Sequence, residues 1–168
     1  MNRLKKHRRS SLFLCQAGMI AAIYTVLTVY VGALGLANGA IQFRISEALC
    51  VLPFFTPAAI PGLTLGCLLS NLLMSCIWQD IVFGTLATLI GAIGARALRR
   101  LPWLLPFPTV VANTVIVPLV LAYGYRLQDG LPFLMLTVGA GELLSAYVCG
   151  LVLFFSLRRY GSKLFPQI

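Results

Sequence analysis

Glu142 lies inside an apolar run from Leu134 to Leu157, about 12 Å from that run's start at the rise of an α-helix. A carboxylate in hydrocarbon is costly, and ionisable groups at such depth usually face a bundle interior and mark a pathway or a site. The competing reading is a protonated Glu bonded to a neighbouring helix. Two amides, Asn71 and Asn113, sit in other apolar runs. Each offers two donors and two acceptor lone pairs, which match the edge of a heterocyclic base, and each serves equally well as glue between helices. The segment Cys76-Ile77-Trp78-Gln79-Asp80 brings an aromatic plane, an amide and a carboxylate to a helix start. Asp80 either caps that helix or meets a substrate cation, and Trp78 either anchors the chain at a membrane interface or stacks over a planar ligand. In Gln42-Phe43-Arg44-Ile45-Ser46-Glu47, the spacing lets Arg44 and Glu47 pair across one helical turn. Gln42, Arg44 and Glu47 then either fix a loop or help close a gate over a bound ligand.

The elements that position these residues follow from composition. The 168 residues are 60% hydrophobic and only 10% charged, with a mean hydropathy of +0.93, which fits an integral membrane protein and leaves no room for a soluble catalytic domain. A hydrocarbon-crossing helix takes about 20 apolar residues, so the chain supplies roughly six spans. Four runs read as spans directly: Leu12 to Leu36, Asp80 to Leu98, Pro106 to Tyr125 and Leu134 to Leu157. Between Ile45 and Ile77, Pro53, Pro57 and Pro61 interrupt the pattern, and each removes a backbone donor and crowds the preceding turn, so a hairpin of two shorter segments is expected. The first of these, Ile45 to Phe55, would cover only about 16 Å as a regular helix. Broken segments of that kind are tolerated where backbone faces protein or a wet cavity, which itself points to a binding site.

Charge distribution supports the count. Eleven of the 13 Lys and Arg fall in three clusters: Arg3 to Arg9, Arg96 to Arg100, and Arg158 to Lys163. Basic residues collect in cytoplasmic loops, and two segments between Ile45 and Ile77 place all three clusters on that side. The expected architecture is an all-α, six-helix membrane bundle with both termini cytoplasmic. It comprises a basic tail at 1–11, a single membrane domain at 12–157 and a second basic tail at 158–168. All four acids, Glu47, Asp80, Asp129 and Glu142, then occupy the outer half against only Arg44 and Arg126, which suits a cationic or donor-rich ligand entering from outside. In the first span, Ala17 and Ala21 lie one turn apart and form a small-residue face, for packing within the monomer or for docking onto another protein.

Other classes lack their requirements. The net charge of +9 is accounted for by topology and contact with anionic membrane lipid rather than by nucleic acid. The only His, His7, lies in the basic tail, there is no His-Glu-x-x-His, and the five Cys lack metal-ligand spacing, so neither an intramembrane enzyme nor a metal site is expected. No Gly-x-x-x-x-Gly-Lys-Ser/Thr loop is present to cradle ATP. A self-sufficient carrier or channel for a small cationic or heterocyclic solute remains as the alternative, although no internal repeat supports it.

Three stretches resemble a known family: Ala40-Ile41-Gln42-Phe43-Arg44-Ile45-Ser46-Glu47-Ala48-Leu49; Ala59-Ile60-Pro61-Gly62-Leu63 with Gly66 and Asn71; and Asp80-Ile81-Val82-Phe83-Gly84-Thr85-Leu86-Ala87-Thr88-Leu89. Gly141-Glu142-Leu143 fits more weakly. The chain resembles the substrate-binding S components of energy-coupling factor (ECF) vitamin transporters, in their QueT-like, queuosine-precursor branch. The resemblance implies a six-helix bundle that binds a 7-deazaguanine such as preQ1 on its outer face. It also implies a transmembrane coupling subunit and two cytoplasmic ATPases as partners, with ATP used only by those subunits. Ala17-x-x-x-Ala21 resembles the alanine motif by which S components meet the coupling subunit. Where the family carries polar residues near Glu47, this chain has Cys50.

Overall fold

The computed structural model describes residues 2–35 and 44–161, with side chains in the first helix from residue 9 onward. Among the described residues every regular element is helical. Helix α1 (Asn2–Ala33) runs without a break through the expected tail boundary at residue 11. A 3-10 helix (Ile45–Phe54) follows, then α2 (Ala59–Leu73), α3 (Trp78–Ala97), a short 3-10 turn (Pro102–Leu104) and α4 (Phe107–Leu119). Helix α4 widens into a π-helix over Val120–Gly124; α5 (Leu131–Glu142) passes through a π-helix (Leu143–Cys149) into α6 (Gly150–Arg158). Four continuous helical stretches are long and apolar enough to cross a membrane: Arg9–Ala33, Trp78–Ala97, Pro102–Gly124 and Leu131–Arg158. The two segments around the prolines, Ile45–Phe54 and Ala59–Leu73, are apolar but shorter.

The proline bend forms where the sequence places it. Pro53 lies inside the 3-10 helix, and the chain turns between Phe55 and Ala58 before α2 begins. Carbonyls left open by such a break need other donors. Arg96, in the last turn of α3, supplies them: its Nη1 donates to the carbonyl of Pro53 at 2.8 Å and to that of Phe54 at 3.2 Å. The Thr56 hydroxyl donates to Gln16 Oε1 at 2.8 Å and accepts from the Ala58 amide, which pins the bend to α1.

Small residues set the closest helix contacts. A Cβ at Gly66 of α2 would come within 2.7 Å of the Tyr24 Cβ on α1, and one at Gly91 of α3 would meet the Thr109 hydroxyl of α4 at 2.5 Å. In a membrane, where lipid competes equally for apolar surface, such close approach drives helix association. One core joins Ile20 and Tyr24 of α1 to Leu49, Leu52, Leu63, Cys67 and Ala92. A second gathers Cys50, Val51, Leu105, Ala146 and Phe154, with Phe54 edge-on to Phe154 at a centroid distance of 4.9 Å.

The bundle therefore has two distinct ends. The proline bend, the end of α3 and the last described turn, where Gly161 packs on Phe55, share one end, called here the arginine end. Arg44, the α2–α3 connection and the segment after α4 share the other, the acidic end.

Candidate functional site

The acidic end is assembled by four elements that each contribute a polar side chain. The 3-10 helix carries Glu47, α1 carries Tyr24, α4 carries Asn113 and α5 ends on Glu142. Glu47 is 2% exposed and Glu142 4% exposed. The Tyr24 hydroxyl donates to Glu47 Oε1. The buried Asn113 side chain lies near both carboxyl groups. Glu142 Oε2 is buried and has no hydrogen-bond partner among the described residues. Buried polar atoms in native proteins almost always have partners, so Glu142 Oε2 stands out, as do the Thr109 and Thr114 hydroxyls.

Local structure explains how these groups converge. Glu142 is the last residue before the π-helix Leu143–Cys149. A wider turn of this kind rotates the helix face relative to a regular α-helix and recurs at functional positions. The 3-10 helix projects Glu47 inward within its first turn, and Thr28 Oγ1 of α1 holds the adjacent Ser46 hydroxyl at 2.7 Å. On α1, Ala17, Ala21, Tyr24 and Thr28 form one buried stripe at helical spacing.

Nearer the end of the bundle lies a second group. Asp80 Oδ2 accepts from the Tyr125 hydroxyl at 3.3 Å, and the Asn71 amide donates to the Asp80 backbone carbonyl at 3.3 Å. Asp80 does not cap α3 with its side chain: Ile77 occupies the cap position, and no side-chain cap bond forms. Arg44 stands between the two groups, in electrostatic reach of Asp80 and Glu47. Burial opposes its charge, but the field of Asp80, with smaller contributions from Tyr24, Cys67 and Glu47, raises the guanidinium above its ordinary value and keeps it charged. Three carboxyl groups thus face one guanidinium.

The residues singled out from sequence distribute unevenly over this arrangement. Glu47, Asn113 and Glu142 come together, with Arg44 beside them. Asn71 and Asp80 belong to the shallower group, where Asn71 ties α2 to α3 and also contacts Cys67 Sγ at 3.7 Å. Trp78 is 65% exposed at the start of α3. Gln42 lies outside the described residues, as does most of the loop expected to form a gate. Ala17 and Ala21 are buried against α2, where Ala17 and Ala21 carbonyls come within about 3 Å of a Cβ built on Gly62 and Gly66. Gly18 and Ala22, one position further on, are exposed.

Tyr24 and Tyr125 were not among the residues expected. Tyr24 had a legible signal, since it shares the stripe of Ala17 and Ala21. Tyr125 had none, because its reach to Asp80 depends on the π-helix that precedes it.

A model of a family described as QueT transporter matches residues 14–159. A relative from Lactococcus lactis subsp. cremoris (strain MG1363), described as queuosine precursor transporter QueT, is 42% identical over 72 residues. The matched stretch covers 43% of this chain and 42% of that relative, so the chain aligns with less than half of the relative's length. No solved structure matches.

Proposed function

Because the chain belongs to the QueT transporter family, we propose that it is the substrate-binding membrane subunit, or S component, for uptake of a queuosine precursor such as preQ1. The observation that carries this reading is the buried Glu47, Asn113 and Glu142 cluster, in which Glu142 Oε2 has no partner within the described chain.

PreQ1 joins a guanine-like edge rich in donors to an aminomethyl cation. Two carboxyl groups beside one amide present several acceptors and a donor in a small volume, which complements such an edge. Hydrogen bonds to a charged group are the strong ones, so a cation placed at Glu142 contributes both affinity and orientation. Arg44 already offsets the charge of Asp80, which leaves Glu142 as the better partner for the cation and makes Arg44 and Asp80 a latch at the entrance. Tyr24 positions Glu47 by donating to one of its oxygens.

In this reading the six apolar segments form a bundle with both termini cytoplasmic and the acidic end outward in a bacterial cell membrane. A transmembrane coupling subunit and two ATPases supply the energy, since this chain has no phosphate-binding loop of its own. The exposed Gly18 and Ala22 row of α1, rather than the packed Ala17 and Ala21 row, is the small-residue face open to a coupling subunit.

Calorimetric titration of the purified chain with preQ1, beside guanine, riboflavin and thiamine, tests the substrate. The expected result is tight binding of preQ1 alone, weakened at least about tenfold in Glu142→Gln. Absence of binding by the folded protein overturns the queuosine-precursor assignment. Uptake by cells lacking the ECF subunits overturns the S-component assignment and favours a self-sufficient carrier.

A further inference from the structure

We propose that the arginine end carries a specific binding site for the headgroup of an anionic phospholipid. Arg96, Arg99 and Arg100 line a cleft of about 640 Å³ together with Ile60, Ile93 and Ala97. The lining has two chemistries in a fixed order. Ile93 is 52% exposed on the apolar flank of α3, and the arginines follow toward and beyond the point where that helix ends at Ala97. The exposed Trp103 in the next turn stands at the same end, as an aromatic side chain at a membrane–water boundary does.

Arg96 is not a loosely tethered surface cation. Its Nη1 is held by the Pro53 and Phe54 carbonyls, which fixes the plane of the guanidinium while Nε and Nη2 carry no hydrogen bond among the described residues. A guanidinium held in this way presents a preformed fork for a phosphate. Arg99 and Arg100 are exposed and supply two further charges at the mouth of the cleft. A ligand that places phosphate on the arginines and an acyl chain along Ile93 and Ile60 satisfies both halves at once. A soluble phosphate would leave the apolar half unused, and an acidic protein segment would have no reason to lie along a lipid-facing isoleucine. Basic pockets between helices at a membrane surface are suited to such headgroups.

The test uses the full chain in a nonionic detergent, with thermal unfolding followed as lipid is added. Phosphatidylglycerol or cardiolipin is expected to raise the unfolding midpoint by several degrees, because a ligand that binds only the folded state stabilises it. Phosphatidylcholine and soluble glycerol phosphate at equal concentration are expected to have little effect. The rise should fall by more than half in the Arg99→Gln/Arg100→Gln double variant, persist in Arg99→Lys/Arg100→Lys, and persist in Arg158→Gln/Arg159→Gln. An equal rise with phosphatidylcholine, or full retention in the Arg99→Gln/Arg100→Gln variant, overturns the proposal. So does a full response to glycerol phosphate, which identifies a free-phosphate site. An equal loss in Arg158→Gln/Arg159→Gln also overturns it, since net charge alone then accounts for the effect.

Discussion

At the acidic end, Glu47, Asn113 and Glu142 are buried together with one carboxyl oxygen left without a partner, whereas at the arginine end Arg96 donates to two specific carbonyls beside a cluster of phenylalanines. The acidic end has a buried carboxyl oxygen in excess of its internal needs, whereas at the arginine end one nitrogen of the part-buried Arg96 closes the backbone of the bend. Burying a polar atom without a partner costs about 1–3 kcal/mol, so the excess at the acidic end is an expense that binding a ligand would reverse. The proline bend at the other end shows no such excess, because every carbonyl named there has a donor. The buried acidic cluster thus keeps an unmet acceptor, whereas the proline bend has met its own.

Substitutions at the two ends should therefore differ in kind. Phe154→Ala is expected to have the largest effect: it empties a fully buried site ringed by Phe54, Phe55 and Phe155 and should cost about 3–5 kcal/mol of stability. Thermal unfolding in detergent reads this loss, and preQ1 affinity of the folded fraction should be unchanged. A parallel fall in affinity would show that the two ends do not act independently. Glu142→Gln should do the reverse, weakening binding by about 1.5–3 kcal/mol, roughly 10- to 150-fold in calorimetry, while the unfolding midpoint holds or rises. A lower midpoint would mean that Glu142 serves the fold.

Gly66→Ala bears on the link between packing and site, because the added methyl meets Tyr24, the residue that holds Glu47. Overpacking of this kind typically costs about 1–3 kcal/mol, seen as a lower midpoint, with a loss of affinity smaller than that of Glu142→Gln. Trp78→Ala should have the smallest effect, with stability changed by less than about 0.5 kcal/mol, as for exposed positions generally. A large loss of preQ1 binding in that variant would place the indole over the ligand and extend the acidic end outward.

Much of this contrast was legible in the residues. The three prolines after Ile45 foretold the short segment and the turn, since a missing donor is a local property that needs no knowledge of neighbours. Glu142 stood out because a carboxylate in an apolar run has few acceptable environments. The two asparagines were not separable: one lies beside the two carboxyls and the other ties α2 to α3, and only the rotation of each helix about its axis decides which. The same holds for Ala17 and Ala21 against Gly18 and Ala22, where a shift of one residue, about 100° around the helix, exchanges the buried row for the exposed one. Tyr24 shares the spacing of Ala17 and Ala21, so its face was legible, but its bond to Glu47 was not.

The bond from Arg96 to Pro53 joins positions 43 residues apart in sequence. A chain made from its N-terminus onward has completed the proline bend long before this arginine exists. Until α3 is synthesised, the Pro53 and Phe54 carbonyls must rely on water, lipid headgroups or the insertion machinery for partners. The segment that carries Glu47 thus reaches its final form late in assembly, and truncation before Arg96 would leave it unfinished rather than merely shortened.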